Sequence, residues 1–63
     1  MADNMNLWIY WAKRLHLIDT DNREWWGYCD EVCGMEGNGL VLETKEGYIL
    51  FGRSQIRMIE TVA

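Results

Sequence analysis

The sequence predicts an all-β protein, a small five-stranded antiparallel barrel with a short N-terminal helix, and three observations support this fold class. Residues 23–33 form one long run rich in aromatic and β-branched residues, about twice the usual strand length of ~5–6 residues. Four shorter strand-like segments accompany it, separated by turn residues and never by a segment long enough for a helical crossover. The chain has 63 residues and therefore forms a single domain.

The long segment at residues 23–33 is the element around which the other strands are arranged. Gly27 lies at its centre, where the absence of a side chain permits a bend or a close approach of another backbone. A long strand that bends at a glycine can pair in both halves of a curled sheet, which is how a short chain closes a barrel. We therefore expect the barrel to bend at Gly27.

The N-terminal residues predict a short helix after a loose lead-in at residues 1–4. Asn6 can cap a helix over residues 7–12, because its side chain can accept hydrogen bonds from the first backbone N–H groups. The residues that share one helical face are Leu7, Tyr10 and Trp11, with Trp8 beside them. The pattern favours a helix that plugs one end of the barrel. The alternative is an aromatic platform for a nucleobase or a protein partner.

Residues 13–20 alternate in polarity and predict the first strand, with Leu15 and Leu17 pointing inward. The residues that point outward are Arg14, His16 and Ile18. His16 is expected to be a surface or neighbour-contacting histidine, because no nucleophile or orienting partner is placed beside it. Residues 20–23 then form a turn, in which Asp and Asn tolerate left-handed backbone conformations.

The rest of the chain predicts three more strands. The elements in order are a glycine-rich loop at residues 34–39, a third strand at 40–45, a turn at 46–47, a fourth strand at 48–51, a corner at 52–54 and a fifth strand at 55–59. The fourth strand is apolar throughout, which indicates cover on both faces or a neighbour at a sheet edge. In the fifth strand, Ile56 and Ile59 are the expected core anchors.

A chain of this size buries only about 60% of its unfolded surface, so small domains often gain stability from disulfides, metals or oligomerisation. Cys29 and Cys33 lie in one predicted strand, roughly 13 Å apart, whereas a disulfide needs Cα atoms within about 7 Å. His16 is the only other soft metal ligand, and a structural zinc site usually has about four. We therefore expect free thiols, no metal or other cofactor, and self-association.

The chain is acidic, with ten Asp and Glu residues against six Lys and Arg residues and a net charge of −4. This balance opposes tight, sequence-independent binding to phosphate backbones, although an assembly can still concentrate a few cations at one spot. No apolar run approaches the ~18–20 residues of a membrane span, and the N-terminus lacks the basic start of a signal peptide. We expect a soluble cytoplasmic protein without membrane association.

Several of these segments resemble the first sequence motif of the Sm-like family. Three segments follow the order and spacing of that motif. They are the Asp-Asn-Arg run at residues 21–23, Gly27, and the Leu-Val-Leu run at residues 40–42. Two further positions of the motif, Cys29 and Val32, are apolar as the family pattern requires. Each element is degenerate, and the resemblance rests on their combination.

Residues 52–59 resemble the second Sm motif, and the whole resemblance covers residues 6–60. The ends of this region also look like those of short uncharacterised Sm-like proteins of Firmicutes. The resemblance implies an SH3-like barrel and a homo-oligomeric ring, closed by pairing of the fourth strand of one subunit with the fifth strand of the next. An apolar fourth strand left as a free edge would promote aggregation, and a ring covers it. The expected interface residues are Tyr48, Ile49, Leu50, Phe51 and Ile56.

Sm-like proteins typically bind uridine-rich or adenine-rich RNA at the pore of the ring. The residues expected to line the pore in this chain are Met35, Asn38 and Arg53. Two hydrogen-bonding positions of the family are replaced, since Cys33 stands in place of an Asp and Gly39 in place of an Asn, and a thiol is a weak hydrogen-bonding group. The family's Arg-Gly pair is also inverted. We therefore expect weak binding of single-stranded RNA, with Arg53 supplying the charge.

The sequence supports two functions. The first is a ring-forming Sm-like protein that binds RNA weakly or acts in RNA metabolism. The alternative is a protein–protein adaptor of Sm-like fold that binds no RNA and uses Trp8, Trp11 and Trp26 as aromatic anchors. Enzymatic activity is not expected, because one histidine, no recognisable paired-carboxylate motif and no phosphate-binding loop leave no catalytic residues to assign.

Overall fold

The computed structural model describes residues 6–63, so the lead-in predicted at residues 1–4 lies outside the described residues. The elements are a 3-10 helix at Leu7–Tyr10, strand β1 at Arg14–Asp19, β2 at Glu24–Cys33, β3 at Gly39–Thr44, β4 at Gly47–Gly52, a second 3-10 helix at Arg53–Gln55, and β5 at Ile56–Thr61. The prediction of an all-β fold with five strands is confirmed.

All five strands pair antiparallel in one sheet, in the order β4-β3-β2-β1-β5. Strands β4 and β5 lie at opposite edges, and each has a strand partner on one side only among residues 6–63. Strand pairing therefore leaves the sheet open in the described part of the chain, and closure into a barrel stays a prediction. The edges matter for function, because the outer backbone groups of an edge strand are available to another chain.

Strand β2 serves both halves of the sheet, as its length predicted. Residues 24–28 pair with β1, and residues 28–33 pair with β3. Next to the change of partner, a Cβ atom on Gly27 would overlap the carbonyl oxygen of Glu43 on β3. The predicted close backbone approach at Gly27 is confirmed. A register shift between residues 29 and 31 adds a second irregularity, which the sequence pattern did not indicate.

The inner face of the sheet carries the hydrophobic core. Its buried side chains are Leu7, Leu15, Leu17, Cys29, Val32, Leu40, Leu42 and Phe51, and the partly buried residues packed against them are Tyr10, Trp25, Ile49, Ile56 and Ile59. Full burial of one aliphatic side chain contributes on the order of 1.5–3 kcal/mol to folding. The predicted inward positions Leu15 and Leu17 and the predicted anchors Ile56 and Ile59 are confirmed.

The N-terminal helix is shorter than the predicted range of residues 7–12. Asn6 caps it as expected, because its side-chain oxygen accepts the Trp8 N–H at 2.9 Å. The helix is a single 3-10 turn. It cannot continue, since the N–H of Ala12 already donates to the Cys29 carbonyl of β2 at 3.0 Å, with Ala12 at a φ of 63°.

The corner between β3 and β4 is fixed by one hydroxyl group. Thr44 Oγ1 accepts the Glu46 N–H at 3.1 Å and donates to the Gly47 carbonyl at 2.9 Å. Threonine hydroxyls stabilise turns in this way when they replace a backbone partner. The turn consequently lies at residues 45–46, one residue earlier than predicted, and Gly47 begins β4 with a φ of 120°.

The turn between β1 and β2 is organised by Asp19, whose role the sequence pattern did not indicate. Its Oδ1 accepts the N–H groups of Asp21 at 2.8 Å and Arg23 at 3.0 Å, and its Oδ2 accepts the indole N–H of Trp25 at 2.9 Å. The indole bond, followed by the backbone bonds, lowers the pKa of Asp19 against the opposing effect of burial. Asn22 adopts a positive φ of 66°, as expected for this turn.

Candidate functional site

Two of the three predicted pore residues lie side by side at one end of the sheet. The N–H of Arg53 donates to the Asn38 carbonyl at 2.7 Å, where Gly39 of β3 pairs with Gly52 of β4. Met35 belongs to the adjoining turn at residues 34–37, and its side chain is almost fully exposed. The pairing of β3 with β4 therefore places Asn38 next to Arg53, whereas the conformation of the turn at residues 34–37 sets the position of Met35.

The turn that carries Met35 is held by the N-terminal 3-10 helix. The indole N–H of Trp8 donates to the Gly34 carbonyl at 2.8 Å, and the Leu7 N–H donates to the Gly37 carbonyl at 3.4 Å. A Cβ atom on Gly37 would overlap this helix, so the contact requires glycine there. Sequence reasoning missed the role of Trp8, because the partners of its hydrogen bond are 26 residues apart.

Gln55 is a further residue at this end of the sheet that the sequence analysis did not single out. Its Oε1 accepts the Gly52 N–H at 2.8 Å, across the 3-10 helix Arg53–Gln55. The bond fixes the backbone directly before Arg53. The available sequence signal, a glutamine three residues after a glycine at a predicted corner, is weak.

The 3-10 helix carries a core face and an exposed apolar face. Leu7 is buried and Tyr10 packs against the core. Trp8 and Trp11 meet edge to face with ring centroids 6.4 Å apart, and both rings are about half exposed, as is Ile9. One side of this segment thus packs against the core and the other exposes indoles, and both the plug and the aromatic platform stay predictions. Trp11 was expected on the core face and lies on the exposed one.

Trp26, the third predicted anchor, lies on a different surface, where its indole stacks on His16. The ring centroids are 3.9 Å apart and the planes are inclined by 12°. His16 Nδ1 lies 3.0 Å from a Glu60 carboxylate oxygen, and His16 Nε2 lies 3.6 Å from a Glu24 carboxylate oxygen. His16 points outward from β1 as predicted, but it is only 8% exposed. Of the two positions expected for His16, surface or neighbour-contacting, the structure shows contact with neighbouring residues, because the strand register places Trp26 and Glu60 on either side of it.

The edge strand β4 presents only alternate side chains to solvent. Tyr48 and Leu50 point outward and are 66% and 63% exposed. Ile49 and Phe51 point inward, where Phe51 is buried in the core, and Ile56 of β5 also packs against the core. Among the predicted interface residues, Tyr48 and Leu50 thus have side chains available to a neighbouring subunit.

Two adjoining hollows border the exposed indole of Trp26. They have volumes of about 620 and 560 Å³, and both are lined by Trp26, Thr44 and Lys45. Both hollows lie between the first half of β2 and the turn that joins β3 to β4, and the larger one also borders Arg14, Leu15 and Val62. Neither was predicted, because residues from these two segments approach each other only through the pairing of β2 with β3.

Both cysteines carry free thiols, with Cys29 buried and Cys33 partly buried. Burial raises the pKa of the Cys29 thiol, which lowers its reactivity at neutral pH. Among residues 6–63, no group of three or more His, Cys, Asp or Glu side chains is arranged to hold a metal ion. In the same part of the chain, no helix is long and apolar enough to cross a membrane.

Comparison of the chain with models of protein families, with curated proteins and with solved structures finds no match. The candidate sites are therefore those that the geometry of the chain itself provides. They are the Asn38–Arg53 end of the sheet, the β4 edge, the Trp8–Trp11 surface and the hollows beside Trp26.

Proposed function

We propose that the protein is an Sm-like homo-oligomer with an SH3-like barrel fold, assembled as a ring through β4 and β5, that binds single-stranded RNA weakly in RNA metabolism. The observation that carries the proposal is the pair of free edges at the two ends of one antiparallel sheet. Strands β4 and β5 each contain six residues, so one edge can pair with the other along its full length.

An edge strand with exposed apolar side chains is an unfavourable surface for a lone subunit. Tyr48 and Leu50 are both exposed on β4, and Val41 lies opposite Leu50 in the register. Pairing of β4 with β5 of the next copy removes these groups from water and satisfies the backbone of both edges. Because the two edges differ, the contact is head to tail, and repetition of a head-to-tail contact forms a ring when the rotation between neighbouring copies closes.

The change of partner along β2 supports the barrel part of the proposal. Residues 24–28 of β2 pair with β1 and residues 28–33 pair with β3, so one strand belongs to both halves of the sheet. The close contact of Gly27 with β3 permits the curl that a barrel of so few residues requires. The strand order also gives β4 and β5 the two outer positions that the proposed ring contact needs.

The Asn38–Arg53 end of the sheet supports a pore-lining RNA site. One arginine per subunit, repeated around a ring, concentrates positive charge locally on a protein whose net charge is −4. Met35 can contact a base through its polarizable sulfur, although it lacks an aromatic face. Cys33 and Gly39 supply neither a carboxylate nor an amide, so the affinity is expected to be low and strongly salt-dependent.

Solution mass and RNA titration test this proposal. Light scattering on the purified protein gives the mass of the assembly, and labelled uridine-rich and adenine-rich RNAs are then titrated at two salt concentrations. A single 7.5 kDa species at micromolar concentration would overturn the ring. Absence of RNA binding at low salt would overturn the RNA function.

A second candidate function, a protein–protein adaptor that binds no RNA, is favoured by the Trp8–Trp11 surface. Two half-exposed indoles in mutual contact, with Ile9 exposed beside them, form an apolar patch of the residue type that dominates interface hot spots. An assembly that forms normally but binds no RNA at low salt would support this function.

A further inference from the structure

The smaller hollow beside Trp26, which we call the Trp26 hollow, lies along an edge of β2. Its lining residues include Glu24, Trp25, Trp26, Lys45, Glu46 and Ile49. Trp25 and Trp26 are consecutive in a strand and so point to opposite faces of the sheet. A cavity lined by both side chains runs along the edge of the strand rather than over one face.

The backbone of β2 is open to pairing in the Trp26 hollow. Alternate residues of a strand direct their hydrogen-bonding groups to opposite sides. Since Cys29 bonds to the segment that leads into β1, Glu24 and Trp26 direct their backbone groups away from β1. The pairing of β2 with β3 stops at Tyr28, so no strand of the described chain pairs with Glu24 and Trp26 on that side.

Trp26 provides a fixed aromatic surface next to this backbone. One face of its indole is occupied by the stacked His16 ring, and the side chain is 57% exposed. The stack holds the indole in one orientation and leaves the opposite face open. Such a ring can receive a cationic side chain at little cost in conformational entropy.

The charges around the Trp26 hollow are predominantly negative. Glu24 and Glu46 both line it, with the Glu24 carboxylate 3.6 Å from His16 Nε2 and the Glu46 carboxylate 3.5 Å from the Thr44 hydroxyl. Lys45 is the cation among the residues that line it. Arg14, which would balance the charge, lines the adjoining hollow. The Trp26 hollow therefore favours a positively charged group.

We propose that the Trp26 hollow binds an extended segment of a partner protein in which a lysine or arginine is followed by an apolar residue. The backbone of this segment pairs with Glu24 and Trp26 as an added strand. Its cationic side chain lies along the open face of Trp26, with the charged end near Glu24 and Glu46. The next side chain turns to the opposite face, toward Trp25 and Ile49.

A basic peptide fits this hollow better than a nucleic acid does. A phosphate group there would face Glu24 and Glu46, whereas a cation is attracted both by these carboxylates and by the protein's net charge of −4. The hollow is also separate from the Asn38–Arg53 end, so the inference does not depend on the proposed ring or its RNA site.

The test is a titration of the full chain with a labelled, end-blocked peptide of alternating arginine and valine, followed by fluorescence anisotropy. A second peptide with citrulline in place of arginine keeps the shape and removes the charge. The variants are Glu46→Gln and Trp26→Leu, with Glu36→Gln as the matched control, because Glu36 is an exposed carboxylate outside the hollow. Amide chemical shifts locate the bound peptide.

We expect the citrulline peptide, Glu46→Gln and Trp26→Leu each to weaken binding roughly twofold to fivefold, as loss of one cation contact near a surface does. Glu36→Gln should bind the arginine peptide as the wild type does, and shifts should concentrate at residues 24–26. Equal binding of the two peptides, an equal loss in Glu36→Gln, or single-stranded RNA that shifts the same residues would overturn the inference. If Trp26→Leu does not fold, Glu46→Gln in the exposed turn carries the test.

Discussion

The indole of Trp26 lies on the imidazole of His16, with ring centroids 3.9 Å apart and planes inclined by 12°. The pair joins neighbouring strands β1 and β2 on the outward face of the sheet. It shields His16 from solvent and holds Trp26 in one orientation although that ring is 57% exposed. Trp26 therefore contributes to the stability of the sheet as well as to its surface.

Trp26→Ala is expected to lower the free energy of unfolding by about 1 kcal/mol more than Trp11→Ala does. The two indoles are similarly exposed, at 57% and 53%, so the apolar area lost is comparable. Trp26 stacks closely on a buried ring, whereas Trp11 meets Trp8 edge to face at 6.4 Å. Urea unfolding followed by circular dichroism measures the difference. Equal destabilisation would mean that the His16 stack adds little.

Gly27→Ala is expected to lower the free energy of unfolding by about 2–4 kcal/mol. The Cβ atom of the alanine would overlap the Glu43 carbonyl oxygen, so the backbone of β2 or β3 would have to move. The matched control is Gly52→Ala. Gly52 has a φ of −74° and its nearest neighbour to a new Cβ is a side-chain oxygen at 3.4 Å, so this substitution should change stability little. Similar unfolding midpoints for both variants would contradict the close approach of Gly27 to β3.

The elements that the sequence predicted well are those set by local pattern. Alternation alone places Leu15 and Leu17 in the core, and the one glycine in a long strand marks the close approach at Gly27. The burial of His16 could not be predicted in this way, because one of the residues that contact its ring, Glu60, lies 44 residues later in the chain. Long-range contacts of this kind depend on register, which a sequence pattern does not specify.

The candidate sites show the same division between local pattern and tertiary contact. Asn38 and Arg53 were expected to act together, and the hairpin of β3 and β4 does place them side by side. The apolar run of β4 predicts one continuous interface, yet strand alternation sends Phe51 into the core and leaves Leu50 outside. A substitution of Phe51 would therefore test folding rather than assembly.

Acid is expected to reduce the stabilising effect of Asp19. Its pKa is lowered in the folded state, chiefly by the indole N–H of Trp25, so the ionised carboxylate stabilises the fold above its ordinary pKa of 3.8. That contribution is lost as the pH falls below 3.8 and through the lowered folded pKa. Asp19→Asn should be less stable than wild type at pH 6, and the difference should shrink at pH 3 in urea unfolding. A difference independent of pH would contradict the assignment.

Leu50→Glu is expected to shift the proposed assembly toward the 7.5 kDa monomer, because it places a charge on the exposed face of the β4 edge. The matched control is Ile9→Glu. Ile9 is similarly exposed, at 58% against 63% for Leu50, but belongs to the N-terminal 3-10 helix. Light scattering at micromolar concentration should find the control in the wild-type state. Equal masses for all three proteins would contradict assembly through this edge.

Arg53→Ala is expected to abolish RNA binding and to flatten its dependence on salt. Each phosphate contact releases counterions, and on single-stranded nucleic acid the slope of log K against log salt changes by roughly 0.7 per contact. Arg53 lies next to Asn38, because its backbone N–H donates to the Asn38 carbonyl. Arg14 lies on β1 and serves as the control, since its substitution removes the same charge. Anisotropy titrations with uridine-rich and adenine-rich RNA at two salt concentrations give both affinity and slope. Equal losses in Arg14→Ala would indicate diffuse attraction, and tight binding insensitive to salt would place the RNA elsewhere on the protein.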